Sequence, residues 1–135
     1  ERALDGPALR IIAGDLDPEA IDCARENVAA GAQPVRLVRW DARSLPLPDA
    51  SVTAIAANLP YGRRSGSHQE NLSLYPAIVQ EACRVLRPNG AMVLLTADKR
   101  LLRGCLDDHP ELQVVSERDI EAGGLRPSVF VVQKA

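Results

Sequence analysis

Val52-Thr53-Ala54-Ile55-Ala56-Ala57, followed directly by Asn58-Leu59-Pro60-Tyr61-Gly62, decides how this chain is read. The first six residues are the most apolar run in the sequence, and they end in an amide, a proline and an aromatic ring. Continuous apolarity over a strand's length predicts a central strand covered on both faces. In an open α/β sheet, ligands sit outside the carboxyl ends of the strands, so a polar and aromatic cluster there marks where chemistry is expected.

Working outward toward the N-terminus, Ala8 to Ala13 reads as a compact strand and runs into Gly14-Asp15-Leu16-Asp17-Pro18-Glu19. Asp17 is a good N-cap and Pro18 suits the first helical position, so a helix is expected from Pro18 to Ala30, stopping at Gly31, with Ile21, Ala24 and Val28 inward. Val35 to Trp40 alternates charged and apolar residues, as an edge strand does, with Asp41 at its end. Ala42 to Ala50, with Pro46 and Pro48, reads as loop.

Working outward toward the C-terminus, Gly62 to His68 is a polar, glycine-punctuated loop. Apolar residues at helical spacing predict a helix from about Asn71 to Leu86, with Pro76 in or near its first turn and Tyr75 packing. Arg87-Pro88-Asn89-Gly90 is a turn before a strand from Ala91 to Thr96, and a helix over Asp98 to Leu106 follows. Leu112 to Arg118 and Ser128 to Gln133 are strands separated by Gly123-Gly124, too close for a helical crossover and therefore antiparallel. The sum is an α/β sheet, mostly parallel, with an antiparallel C-terminal edge.

At 135 residues the chain is the size of a single domain spanning 1–135. It has no apolar run long enough to span a bilayer, so no membrane partner is expected and a cytoplasmic location is. A net charge of -2 excludes the global positive field of a stand-alone nucleic-acid binder. Of sixteen basic residues only Lys99 and Lys134 are lysines, and the guanidinium of arginine is the better bidentate phosphate ligand. Arg63, Arg64, Lys99, Arg100 and Arg103 form a candidate local phosphate patch, against which stands a solvated helix face. Cys23, Cys83 and Cys105 lie far apart in helix-like apolar segments and read as reduced core cysteines, and His68 and His109 read as isolated surface histidines. No metal site is expected.

Asp15 ends the first strand just before a helix, where an acid accepts hydrogen bonds from the hydroxyls of a ribose. Asp41, at the end of the adjacent strand, is placed to accept from the exocyclic amine of an adenine, with the Ala42 amide free to donate to the ring. Two solvated turn residues fit these positions equally well taken alone. Asn58-Leu59-Pro60-Tyr61 adds a different chemistry. Alkylating a planar nitrogen is difficult because its lone pair is delocalised, and two acceptors aimed at its two N–H groups favour the pyramidal transition state. The Asn58 side-chain oxygen and the backbone carbonyl of Leu59 or Pro60 are candidates for that pair. Pro60 stiffens the backbone, and Tyr61 offers a face on which a flipped-out base or amide stacks.

Asn58-Leu59-Pro60-Tyr61 resembles the N/D-P-P-Y/F motif of class I S-adenosylmethionine-dependent methyltransferases, and the run through Gly66 resembles the N-P-P-Y-G-x-R-x-G signature of THUMP-associated tRNA guanine-N2 methyltransferases. Gly14 to Ile21 is similar to their ribose-binding segment, and Arg84-Val85-Leu86-Arg87-Pro88-Asn89-Gly90 and the Gly-Gly-Leu turn fit too. The resemblance covers nearly the whole chain. It implies a Rossmann-like sheet, S-adenosylmethionine as cofactor, and an RNA substrate, tRNA above all, held with help from a separate RNA-binding domain. It assigns Asp15, Leu16, Asp41, Ala42 and Asn58 to the cofactor, Asn58, Pro60 and Tyr61 to catalysis, and Leu59, Arg63 and Arg64 to the substrate.

Two departures stand out. Leu59 replaces the more usual first proline. The family's first strand and its glycine-rich D/E-x-G-x-G loop, which holds the methionine end of the cofactor, belong before Ala8, and residues 1 to 7 do not supply them. The chain is therefore expected to be a C-terminal portion of a longer catalytic domain, or else to have its open slot filled by a second chain. Rival readings are an adenine-N6 or protein glutamine-N5 methyltransferase using the same motif, and a non-catalytic partner that kept the fold.

Overall fold

The computed structural model describes residues 9–31, 34–61 and 67–135. The chain divides into two compact units, Glu1–Leu45 and Pro46–Ala135. The expected loop from Gly62 lies, as far as residue 66, outside the described residues.

The first unit is strand β1 (Ile11–Asp15), helix α1 (Pro18–Ala29) and strand β2 (Val35–Arg39). β1 and β2 pair in parallel from Ile11 opposite Val35 to Asp15 opposite Arg39. β1 begins later than the hydrophobic run suggested and reaches Asp15, because the ladder with β2 sets its ends; the Trp40 N–H still donates to Asp15 O at 3.1 Å. The Asp17 carboxylate caps α1 by accepting from the Glu19 N–H at 2.9 Å, with Pro18 just inside the helix. Gly14 is required for space: a Cβ there would lie 2.1 Å from Trp40 Nε1. Cys23, expected in the core, is exposed on α1.

The second unit contains β3 (Val52–Asn58), α2 (His68–Val85), β4 (Leu86–Thr96), α3 (Lys99–Asp107), β5 (Leu112–Asp119) and β6 (Ser128–Lys134). Its sheet runs β3-β4-β6-β5, with β3 and β4 parallel and β6 antiparallel to both its neighbours. The expected antiparallel C-terminal pair is thus present, but β6 inserts between β4 and β5. Gly123 and Gly124 turn the chain between β5 and β6 at φ of +56° and +82°, a left-handed region that favours glycine.

Three local readings change. Among the described residues β3 is the end strand of its sheet, where a central strand was expected: Ile55 and Ala57 pack against the core, while Thr53, Ala54, Ala56 and Asn58 are exposed. An apolar run of small residues reads as doubly buried, although alanine is cheap to leave in water. α2 starts at His68, earlier than the apolar stripe, because Ser67 and Glu70 form a capping box, Ser67 Oγ accepting from the Glu70 N–H at 3.2 Å and Glu70 Oε2 from the Ser67 N–H at 2.7 Å. That start places Pro76 inside the helix on an exposed face, costing the Leu72 carbonyl its helical donor. The Arg87–Gly90 turn is a bulge within β4: Val52 faces Leu86 and Ala54 already faces Ala91, with Asn89 at φ 63°.

The core lies between the helices α2 and α3 and one face of the sheet. Tyr75, Val79, Leu102 and Leu106 from the helices meet Met92, Leu94, Phe130 and Val132 from the strands. Met92, Leu94 and Thr96 alternate with the exposed Val93, the period of a strand with one buried face. Each such side chain stabilises the fold by about 1.5–3 kcal/mol.

Candidate active site

At the carboxyl end of β3 the chain stops being a strand and becomes the motif. Asn58 pairs with Leu95 of β4 as the last residue of the ladder. Leu59 extends the pairing by one bond, its N–H donating to Leu95 O at 2.9 Å. Its side chain is 4% exposed and belongs to the core cluster with Tyr75 and Val79. The side chain of Leu59, expected to touch substrate, is therefore a packing group. A proline here would have neither the N–H nor the same buried side chain, so the departure from the usual motif has a structural reason.

Pro60 turns its carbonyl inward onto a prepared pair of donors. Asn71 Nδ2 donates to Pro60 O at 2.9 Å, and the Tyr75 hydroxyl donates to the same oxygen at 2.8 Å. Both lone pairs are used, so of the two carbonyls considered above Pro60 O is not available to a ligand. Among the described residues the Leu59 carbonyl and the Asn58 side-chain amide accept no hydrogen bond, and Asn58 is exposed. Two adjacent acceptors are open where the third is closed. Tyr61 follows, half-buried.

Two routes connect the Pro60 carbonyl to Asp98, the residue before α3. Thr96 Oγ1 lies 2.6 Å from the Tyr75 hydroxyl and accepts from the Asp98 N–H at 2.9 Å. Since the single phenolic hydrogen goes to Pro60, the Thr96 hydroxyl donates to Tyr75, and the chain of bonds runs in one direction. By the second route Asn71 Nδ2 reaches Asp98 Oδ2 at 3.4 Å, an oxygen that also meets His68 Nδ1 at 2.8 Å. Burial pushes the Tyr75 phenol up to about 12, which keeps it a donor. Asn71 Oδ1 is buried without a partner among the described residues.

In the first unit, Asp15 and Asp41 do stand at neighbouring strand ends. Asp15 Oδ1 accepts from the Asp17 N–H at 2.9 Å in the turn into α1, and Oδ2 has no protein partner among the described residues. Leu16 is 54% exposed, and its carbonyl accepts from Arg39 Nε at 2.9 Å. The Ala42 N–H carries no partner among the described residues. Asp41 differs from expectation, because Arg43 takes its carboxylate. Nη2 lies 2.6 Å from Oδ2, while Nε is 3.0 Å from Oδ1 and 3.1 Å from Oδ2, and the Arg43 N–H donates to Oδ1 at 2.9 Å. The hydrogen bonds from Arg43 hold the Asp41 carboxyl down at about 2.

The expected phosphate patch is largely neutralised. Lys99 Nζ pairs with Asp119 at 2.6 Å, and Arg103 pairs with Glu117 while its guanidinium lies 5.9 Å from the Phe130 ring centroid. Arg100 is exposed with no ion pair among the described residues, and Arg63 and Arg64 lie outside them.

Cys83 and His109 are not isolated either: with Glu111 they bring possible ligand atoms within 4.8 Å of one another. The Cys83 thiol donates to Glu111 Oε1 at 3.2 Å, and burial pushes it up to about 11, so an ordinary thiol–carboxylate bond accounts for the closeness.

Arg43, Asn71, Thr96 and Asp98 were not singled out as site residues from the sequence, and Tyr75 was read only as packing. One signal was available: Asn71 lies on the same helical stripe as Tyr75 and Val79 and is 1% exposed. A polar residue on a core stripe needs partners.

A family model described as UPF0020: RMKL-like, methyltransferase domain, matches residues 1–128. The chain is similar to the tRNA (guanine(6)-N(2))-methyltransferase THUMP3 of Mus musculus, 34% identical over 91% of this chain and 27% of that protein. It is similar also to the tRNA (guanine(6)-N2)-methyltransferase of Thermus thermophilus, 38% identical over 96% of this chain and 38% of that protein. The crystal structure of TrmN from Thermus thermophilus superposes with a TM-score of 0.83 at 36% identity, covering 96% of this chain and 38% of that one. The chain thus spans between 27% and 38% of the length of these relatives. The expected Rossmann-like α/β methyltransferase fold is borne out.

Proposed function

Because this chain belongs to the UPF0020 family of RMKL-like methyltransferase domains, we propose that it serves an S-adenosylmethionine-dependent transfer of a methyl group to the exocyclic amine N2 of a guanine in tRNA. The observation that carries the reading is the pair of open acceptors, Asn58 Oδ1 and Leu59 O, beside a Pro60 carbonyl already spoken for. The names of the relatives support guanine in tRNA as the substrate.

S-adenosylmethionine, when bound, supplies an electrophilic methyl group on a positively charged sulfur. On this chain Asp15 Oδ2 accepts from the ribose hydroxyls and the Ala42 N–H donates to the adenine ring. Asp41 contributes to the adenine amine only when Arg43 yields one of its oxygens. Asn58 Oδ1 and Leu59 O each accept one N–H of the target amine, which draws the nitrogen toward a pyramidal shape and aims its lone pair away from both acceptors. Positive charge developing on nitrogen strengthens the two bonds, so they hold the transition state more tightly than the ground state. The cationic product nitrogen is acidic enough to lose its proton to water without a side-chain base. Tyr61 stacks on the extruded base.

The net charge of -2 supports a separate domain as the main source of RNA affinity. Two measurements test the proposal. Titration of the full-length protein with S-adenosylmethionine is expected to show saturable binding, and its absence would remove the enzymatic reading. Nucleoside mass spectrometry of tRNA from a deletion strain is expected to show loss of N2-methylguanosine. An unchanged level, with loss of N6-methyladenosine or of a methylated glutamine instead, would transfer the activity to one of those substrates.

A further inference from the structure

We propose that Asn71 and Tyr75 are positioning residues for methyl transfer, acting through the Pro60 carbonyl; this rests on the reading of Asn58 and Leu59 given above. In Asn58-Leu59-Pro60-Tyr61 the acceptor at Leu59 and the ring at Tyr61 flank a single peptide unit, the one that carries Pro60 O. Its orientation decides where both neighbours point.

Nothing in a proline-containing turn sets that orientation uniquely. Pro60 fixes its own φ but leaves ψ free to rotate the carbonyl. Here the rotation is stopped by two donors from one helix face, one turn apart, Asn71 Nδ2 at 2.9 Å and the Tyr75 hydroxyl at 2.8 Å. Both donors are themselves held through Asp98, the residue before α3. Tyr75 receives from Thr96, and Asn71 leans on Asp98, so the ring of bonds closes on itself. Asn71 and Tyr75 are 1% and 0% exposed, so water does not compete for the two donors. A half-buried carbonyl that takes both of its bonds from buried side chains, rather than from a ladder or a helix, is an expensive arrangement to keep for packing alone. Apolar residues at 71 and 75 would fill the space and would free the carbonyl to turn outward.

The consequence is functional. With Pro60 O clamped, Leu59 O is the backbone acceptor and stays beside Asn58 Oδ1. With the clamp removed, Pro60 O competes for the amine at the wrong position. Small misplacements of a reacting group cost up to about a hundredfold in rate.

The test uses Tyr75→Phe, Asn71→Ala and Thr96→Val in the full-length protein. Single-turnover methyl transfer to tRNA should fall by about tenfold to a hundredfold in Tyr75→Phe and Asn71→Ala, and less in Thr96→Val, where both donors to Pro60 remain. The dissociation constants for S-adenosylmethionine and tRNA should stay within about threefold, because neither residue touches a ligand. The carbonyl ¹³C resonance of Pro60 should move in the first two variants at temperatures where all are folded. Folded variants with unaltered transfer rates would overturn the positioning role, as would an unmoved Pro60 resonance. If the wild-type protein binds no S-adenosylmethionine, the methyl-transfer reading fails by itself, and the Pro60 resonance still reports whether the clamp exists.

Discussion

The Arg43 guanidinium closes on both carboxylate oxygens of Asp41, two residues away, with Nη2 2.6 Å from Oδ2 and Nε 3.0 Å from Oδ1. The acid expected to hold an adenine amine is therefore held first by its own chain. Arginine and carboxylate match in geometry, so the pair forms wherever spacing permits.

The Asp41 carboxyl is depressed to about 2. A depressed acid keeps its pair above the ordinary aspartate range and loses it only as pH falls through about 2, so cofactor affinity is expected to be flat between about pH 5 and 8. Arg43→Ala removes the guanidinium but keeps the backbone N–H on Oδ1, so the Asp41 titration should rise part of the way toward the ordinary range and S-adenosylmethionine binding should tighten by several-fold, since Oδ2 becomes free. Carboxyl ¹³C NMR and calorimetric titration check the two effects. Weaker binding in Arg43→Ala would show instead that the guanidinium itself serves the cofactor.

Asn58→Ala removes one of the two open acceptors. Methyl transfer should fall by about a hundredfold or more, the scale seen when a transition-state hydrogen bond is lost. The S-adenosylmethionine dissociation constant should stay within about tenfold. Loss of binding in place of loss of rate would make Asn58 a cofactor residue.

Leu59→Pro restores the more usual motif at a measurable cost. It deletes the N–H donated to Leu95 O and part of a side chain buried in the core. Urea denaturation should report about 1–3 kcal/mol of lost stability. Transfer activity should persist at temperatures where the variant is folded, because a carbonyl at position 59 remains. Unchanged stability would mean that the ladder bond contributes nothing.

Lys99→Ala and Arg103→Ala should change tRNA affinity by less than about twofold, because both cations are already paired with acids of β5. Arg100→Ala is expected to weaken binding more and to lower the salt dependence by about one counterion if its free guanidinium meets a phosphate. Binding isotherms at several salt concentrations separate these outcomes.

Much of the fold was legible because it rests on local rules. The order of strands and helices, the cap at Asp17 and the glycine turn at Gly123-Gly124 are each decided within a few residues. Among the described residues β3 ends its sheet, a place that composition does not report, because it tells how apolar a strand is and not which neighbours it has. The start of α2 was missed by the apolar stripe because caps are polar. Within the site, Asn58, Leu59 and Pro60 were visible as a string, but which carbonyl is open was not. Hydrogen bonds from Asn71 and Tyr75, distant by 11 and 15 residues, decide it.

By itself, then, the sequence determined the class of fold, the family and the stretch at which acceptor chemistry gathers, since periodicity and motif are properties of neighbouring residues. Only the tertiary structure decided that Leu59 packs while its carbonyl stays open, that Pro60 O is closed, and that Asp41 is held by Arg43. Each of these depends on which lone pairs are already taken, and that is settled by where folding brings the donors.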